Sequence, residues 1–182
     1  LLLDQNHEYF PHVTRSNTGI KNVLNLAGES GFREIEAYYV TRAYLTRHGA
    51  GPLARELNRK PFPKVVDQTN ITNDWQGSLR FAYLDTTLVR KSIVADLMTN
   101  QTNIHVRPRL AITCLDQVDE TTLVYHEGRE NFLKQHRLYD IGDLIAKRIG
   151  YSGNHFKSFG PPRDHVVDYM QAEDQKIEEL IQ

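Results

Sequence analysis

Twenty-two Lys and Arg against twenty-three Asp and Glu leave this 182-residue chain at a net charge of −1, its eight His taken as neutral. That balance argues against a dedicated polyanion-binding surface, and 40% hydrophobic with 25% charged residues is the composition of a folded domain rather than a disordered tail. The lone Cys114 cannot form an intrachain disulfide, no Cys/His spacing resembles a zinc site, and no apolar run reaches the roughly 20 residues that cross a bilayer.

In chain order, Leu1 to Leu3 reads as a short apolar strand, and the absence of an initiator Met leads us to expect a piece of a longer polypeptide. A polar loop with His7, Pro11 and His12 follows. Ser16 or Asn17 is placed to cap a short helix over 19–27, with Gly28 and Gly31 ending it. Residues 35–47 are rich in β-branched and aromatic side chains and predict one long strand, closed by the glycine-proline turn 48–52. Residues 58–80, with Asn58, Pro61, Pro63, Asn70 and Asn73, predict a long loop, a feature that in compact domains is usually functional or disordered. Asp85-Thr-Thr87 starts a helix whose Val89, Ile93 and Leu97 stand four apart, with Val94 and Met98 beside them. Short strands at 110–115 and 121–125 precede a helix over 141–149 that Gly150 ends. A second loop, 152–163, carries Gly160-Pro-Pro162, and an acidic helix around 173–179 closes the chain. This alternation predicts an α/β or α+β layer architecture.

Four segments, in order, carry a resemblance. Leu2-Leu-Asp4 with Tyr9-Phe-Pro-His-Val-Thr-Arg-Ser-Asn-Thr18 is close to L-L-D…Y-P-Y-V-T-S-S-N-T. Tyr44-Leu-Thr-Arg-His-Gly-Ala-Gly-Pro52 with Glu56-Leu57 is similar to T-R-V-G-x-G-P-F-P-T-E-L. Thr113-Cys-Leu-Asp116 with Val118-Asp119 matches T-K-L-D-V-L-D, and Gly160-Pro-Pro-Arg163 matches G-P-x-R. Together they resemble the C-terminal half of the adenylosuccinate synthetase family. The resemblance implies an α/β fold, the C-terminal part of a P-loop-NTPase-like adenylosuccinate synthetase fold with a mixed sheet and flanking helices. Residues 1–182 would be the C-terminal portion of one such domain. It implies a purine-biosynthesis ligase that joins L-aspartate to the 6-position of a purine nucleotide, IMP or (d)GMP, with hydrolysis of a nucleoside triphosphate. In the family the phosphate loop, the catalytic aspartate and histidine and the Mg²⁺ site lie upstream of Leu-Leu-Asp. This segment is therefore expected to hold no catalytic residue and no metal site, and to be inactive alone. The implied partners are a purine nucleoside monophosphate, L-aspartate and GTP or ATP. A cytoplasmic homodimer is expected, with no membrane and no nucleic-acid polymer.

Carried over by motif, Thr14 would hold the 5′-phosphate of the purine nucleotide with Arg15 adding charge; a turn or cap role fits the same hydroxyl. Arg47, His48 and Gly49 would bring backbone against that nucleotide, or form a tight turn that needs glycine for its own sake. Where the family has an arginine-rich aspartate loop, this chain has Asp74-Trp-Gln-Gly-Ser-Leu-Arg-Phe-Ala-Tyr-Leu-Asp85. Only Arg80 falls on an arginine of that run, so Asn73, Trp75, Gln76, Gly77 and Ser78 are expected to form a remodelled substrate loop, or one whose function is lost. Asp116 would read the triphosphate's base, with Cys114 in place of the family's lysine; an exposed turn aspartate and a packed thiol are the plainer alternatives. Ser158, Phe159, Gly160 and Pro161 would pack on that base, or form an ordinary Gly-Pro loop. His105, His126, His136 and His155 read as exposed or packed residues. The altered loop and Cys114 lean toward a phage-type 2-aminoadenylosuccinate synthetase branch using dGMP and ATP. A non-catalytic nucleotide-binding module is the alternative from another class.

Overall fold

A computed structural model describes residues 4–168 apart from 6, 68, 100–101 and 135–139. The predicted strand at 1–3, His136 and the acidic helix around 173–179 lie outside the described residues. The elements run α1 (Lys21–Glu29), β1 (Glu34–Arg42), β2 (Tyr44–Arg47), β3 (Glu56–Leu57), β4 (Arg80–Asp85), α2 (Thr86–Thr99), β5 (His105–Thr113), β6 (Thr121–His126), β7 (Arg129–Lys134), α3 (Asp140–Ile149), β8 (His155–Ser158) and β9 (Val166–Asp168). The fold is α/β, with mixed sheets and flanking helices, and the strands divide between two sheets.

The first sheet has the order β1-β5-β8-β9, with β1, β5 and β8 parallel and β9 antiparallel at the edge. The second runs β2-β4-β6-β7, with β3 also on β4; its β4–β6 pair is parallel and its others antiparallel. The main core joins both: Tyr44, Phe62 and Leu84 meet Leu110, Ile112 and Ile145. A smaller core forms where α1 puts Leu24 against Ala37 and Tyr39 of β1. Ile93 of α2 touches both cores and Leu97 the smaller one, whereas Val94 and Met98 are exposed, so the apolar stripe is narrower than its sequence suggests. Asp85 starts α2 as expected, its Oδ1 accepting the amides of Thr87 and Leu88 at 3.0 and 3.1 Å.

Several expectations are corrected. The long strand over 35–47 is two strands in different sheets. Along β1 the buried Ala37 and Tyr39 alternate with exposed Glu36, Tyr38 and Val40; Ala43 and Tyr44 are then buried in succession, which breaks the two-residue period and sends the chain across. The helix α1 starts at Lys21 with Ile20 as its N-cap, and Gly28 lies inside it. Its cap is the Asp96 carboxylate of α2, which accepts the Ile20 amide at 3.2 Å and the Tyr39 hydroxyl at 2.8 Å, so Ser16 and Asn17 are not needed there. The strand at 110–115 begins at His105 and ends at Thr113, where Cys114 turns into the left-handed region (φ 61°). The loop at 152–163 contains β8, whose inward positions are His155 and Lys157; polar residues facing the core hide the strand pattern. The strand β7 was absent from the predicted elements because only Leu133 of its six residues is buried.

Among the described residues β1 is paired on one side alone. A cavity of about 780 Å³ runs beside it, with Thr14, Thr18, Tyr39, Arg42 and Thr46 on its wall.

Candidate functional site

Two guanidinium groups organise the turn at 48–52. Arg47, the last residue of β2, is buried, and its Nε, Nη1 and Nη2 donate to the carbonyls of Ala50, Pro52 and His12 at 3.0, 3.0 and 2.7 Å. Arg80, its partner across β2–β4, donates through Nη1 to the carbonyls of Gly49 and Gly51 at 2.9 and 2.8 Å. All four carbonyls from Gly49 to Pro52 thus point at one or other guanidinium, and Gly49 and Gly51 adopt φ of 95° and 108° to allow it. A Cβ on Gly51 would lie 2.4 Å from Arg47 Nη2. Burial first, then repulsion from Arg80, lowers the Arg47 pKa below the ordinary arginine value. Arg80 is fixed in turn by Glu56 of β3, which accepts from Nε at 2.7 Å and from Nη2. The carboxylate that Arg80 holds bidentately is therefore the chain's own, not one left open for a substrate.

The loop ahead of β4 docks on this turn. Asp67 Oδ1 accepts the amides of Thr69 and Asn70 at 3.0 and 2.9 Å, and the Asn70 amide leads the contacts that hold its carboxyl well below the usual range. Asn73 and Gly77 exchange both backbone hydrogen bonds, at 3.2 and 2.8 Å, while Asn73 Oδ1 takes the amides of Trp75 and Gln76 at 3.0 and 2.8 Å. This closes a small loop with Trp75 at its tip, 94% exposed. His48 Nε2 donates to the Gly77 carbonyl at 3.0 Å, Gly49 faces the Gln76 side chain, and Ser78 Oγ pairs with Thr72 at 3.2 Å. Arg47, His48, Gly49, Asn73, Gln76, Gly77 and Arg80 therefore form one cluster. Thr14 and Arg15 are exposed; the His12 carbonyl ties their segment to Arg47.

A second cluster sits at the end of the parallel strands. Ile112 pairs with Lys157, so Cys114 and Ser158 leave the sheet at the same end, the position where open α/β sheets bind ligands. Asp116 is exposed on the helical turn Leu115–Gln117, and Cys114 is half-buried against the core. Ser158 Oγ donates to the Gly160 carbonyl at 3.0 Å, Phe159 N to His165 O at 2.9 Å, and Pro161 is exposed. The Phe159 ring packs on the main core. Tyr44 links the clusters: its buried hydroxyl, pushed up to about 12 chiefly by burial, donates to Gln117 Oε1 at 2.6 Å.

The family model for adenylosuccinate synthetase matches residues 1–124. The chain belongs to the adenylosuccinate synthetase family. It is 31% identical over 152 residues to the adenylosuccinate synthetases of Legionella pneumophila strains Lens and Paris, covering 79% of this chain and 33% of each of theirs. The fully ligated adenylosuccinate synthetase of Plasmodium falciparum has a similar fold, with a TM-score of 0.59 at 16% identity over 91% of this chain and 47% of that one. The chain spans about a third of the length of the curated relatives it matches.

In this adenylosuccinate synthetase family chain, no group of three or more His, Cys, Asp or Glu is placed to hold a metal ion among the described residues. None of its described helices is long and apolar enough to cross a membrane. Motif reading passed over Glu56, Tyr44 and Gln117 as site residues. Glu56 meets Arg80 from 24 positions away, and no local spacing announces such a pair.

Proposed function

We propose that residues 1–182 form the C-terminal portion of a ligase domain that joins L-aspartate to the 6-position of a purine nucleoside monophosphate at the expense of a nucleoside triphosphate. In this reading the 47–80 cluster faces the monophosphate and aspartate, and the 114–161 cluster faces the base of the triphosphate. The observation that carries it is the turn at 48–52. Its carbonyls from Gly49 to Pro52 are directed onto Arg47 and Arg80, and among the described residues no acceptor meets the amides of His48, Gly49, Ala50 and Gly51. Backbone donors above two cations suit an anionic or oxygen-rich ligand, and glycine lets it approach without a Cβ in the way.

The chemistry assigned to the chain is binding and positioning. Thr14 and Arg15 hold the 5′-phosphate, Asn73 to Ser78 cover the aspartate, and Asp116 accepts from the base while Ser158 to Pro161 flank it. Phosphoryl transfer to the 6-oxygen and displacement of phosphate by the aspartate amine need catalytic groups and Mg²⁺ that these residues do not provide, so no step is assigned to them. A homodimer in the cytoplasm belongs to the same proposal.

A second reading, the phage-type branch with dGMP and ATP, draws on Cys114 at the position of the family's lysine and on Arg80 being held by Glu56. The test is a phosphate-release assay on the full-length enzyme crossing IMP, GMP and dGMP with ATP and GTP. Aspartate-dependent release with IMP and GTP supports the first reading, and release with dGMP and ATP the second. Silence for every pair removes the ligase reading and leaves a nucleotide-binding module.

A further inference from the structure

Beneath the second cluster lies a group of ionisable side chains that the proposed reaction does not use. His155 and Lys157 alternate on β8 and both face α3, with 5% and 2% of their surfaces exposed. Lys157 Nζ donates to both oxygens of Asp143, at 2.8 and 3.0 Å, and His155 Nε2 lies 2.8 Å from Oδ1. The lysine stem reaches Asp143 by passing over Gly142, where a Cβ would stand 2.7 Å from Lys157 Cδ and 3.2 Å from Leu115 Cδ1. Gly142, on the first turn of α3, therefore sits against both the Lys157 stem and Leu115 of the turn that carries Asp116, while Lys157 itself immediately precedes Ser158 in the chain.

Stability is a poor reason for this arrangement. An ion pair between a buried lysine and a half-exposed carboxylate gains little beyond its own desolvation cost, and apolar replacement of both partners at similar volume is often neutral or stabilising. What the pair adds is directional geometry, with three hydrogen bonds converging on one carboxylate from a single strand face. We propose that Lys157, Asp143 and His155 form a positioning cluster that sets the relative placement of the turns at 114–117 and 158–161, and thereby the affinity of the enzyme for its nucleoside triphosphate. This rests on the reading of those turns as the triphosphate's base site. Neither Lys157 nor Asp143 is assigned a contact with the nucleotide; both act through the turns.

The test compares wild-type full-length enzyme with Lys157→Met, Asp143→Asn and Gly142→Ala, which remove the cation, the carboxylate charge and the space for the lysine stem. In variants that keep the wild-type circular dichroism, the KM for the triphosphate is expected to rise about tenfold while kcat and the KM values for monophosphate and aspartate stay within about twofold. Amide hydrogen exchange should quicken at 114–117 and 158–161 but not in the 48–80 cluster. Unchanged exchange in both turns overturns the proposal, as does a rise of all three KM values together, which marks a merely structural role. Should the wild-type enzyme turn over no triphosphate, the proposed function fails, and exchange alone decides the positioning role: quickening confined to the two turns supports it, and a uniform change or none overturns it.

Discussion

The two clusters are built on opposite plans. At 47–80 the cations lie directly under the candidate ligand surface and are spent on backbone carbonyls, so the turn itself is the positioned object. At 114–161 the cation is one layer deeper, spent on a carboxylate of α3, and the exposed turns are held at one remove. The difference teaches where substitutions should be felt: in folding stability for the first cluster, in local placement for the second.

The largest expected effect follows from Arg47. Arg47→Met strands the carbonyls of His12, Ala50 and Pro52, and chemical denaturation should show a loss of about 3 kcal/mol. A loss below about 1 kcal/mol would erase the contrast between the clusters, because replacing Lys157 and Asp143 together by apolar residues of similar volume is expected to cost little. Next, Gly51→Ala meets both a positive φ and Arg47, and should cost about 2–3 kcal/mol. Gly77→Ala shares the positive φ (69°) with nothing within 4 Å of the new Cβ, and should cost about 1 kcal/mol. Equal losses at the two glycines would show that backbone conformation, not the guanidinium beneath, governs the turn.

A smaller effect belongs to Asp143. Burial alone would raise its pKa, but hydrogen bonds from His155 and Lys157 outweigh that, leaving it below the ordinary value of 3.8. A carboxyl whose folded pKa is depressed contributes stability that is present above its unfolded pKa and is lost as pH falls through the folded one. The melting temperature of Asp143→Asn should therefore fall less steeply than that of the wild type as pH drops below about 4. Parallel acid limbs would remove Asp143 from the ion pair. The smallest effect is at Trp75: with 94% of its surface exposed, Trp75→Ala should move stability by no more than about 0.5 kcal/mol. A larger loss would mean that the loop tip packs on something.

How much of this was legible from sequence depends on whether the pattern was local. Asp85 capping α2, the 48–52 turn and the helix ending at Gly150 rest on neighbouring residues, and motif order was enough to indicate the family. The break between β1 and β2 was hidden because Ala43 and Tyr44 suit a strand as well as a crossing. The strand β8 was hidden because its core-facing positions are His155 and Lys157, whose partner Asp143 sits on a helix that comes earlier in the chain. Likewise Arg80 stood out as the surviving arginine of a substrate loop, yet its bidentate acceptor, Glu56, is a pairing that only the register of β3 on β4 creates.

The unpaired side of β1 bears on how the protein behaves in solution. Among the described residues nothing pairs with this side of the nine-residue strand; such an edge is a template onto which another extended chain can add, and Val40 on it is 67% exposed. As concentration rises, copies of the chain compete for that template, so light scattering should climb with concentration. Val40→Lys puts a charge on the edge at an exposed position on the rim of the cavity beside β1, and scattering should then stay flat. A wild-type profile as flat as that of the variant would mean that this edge is covered in solution.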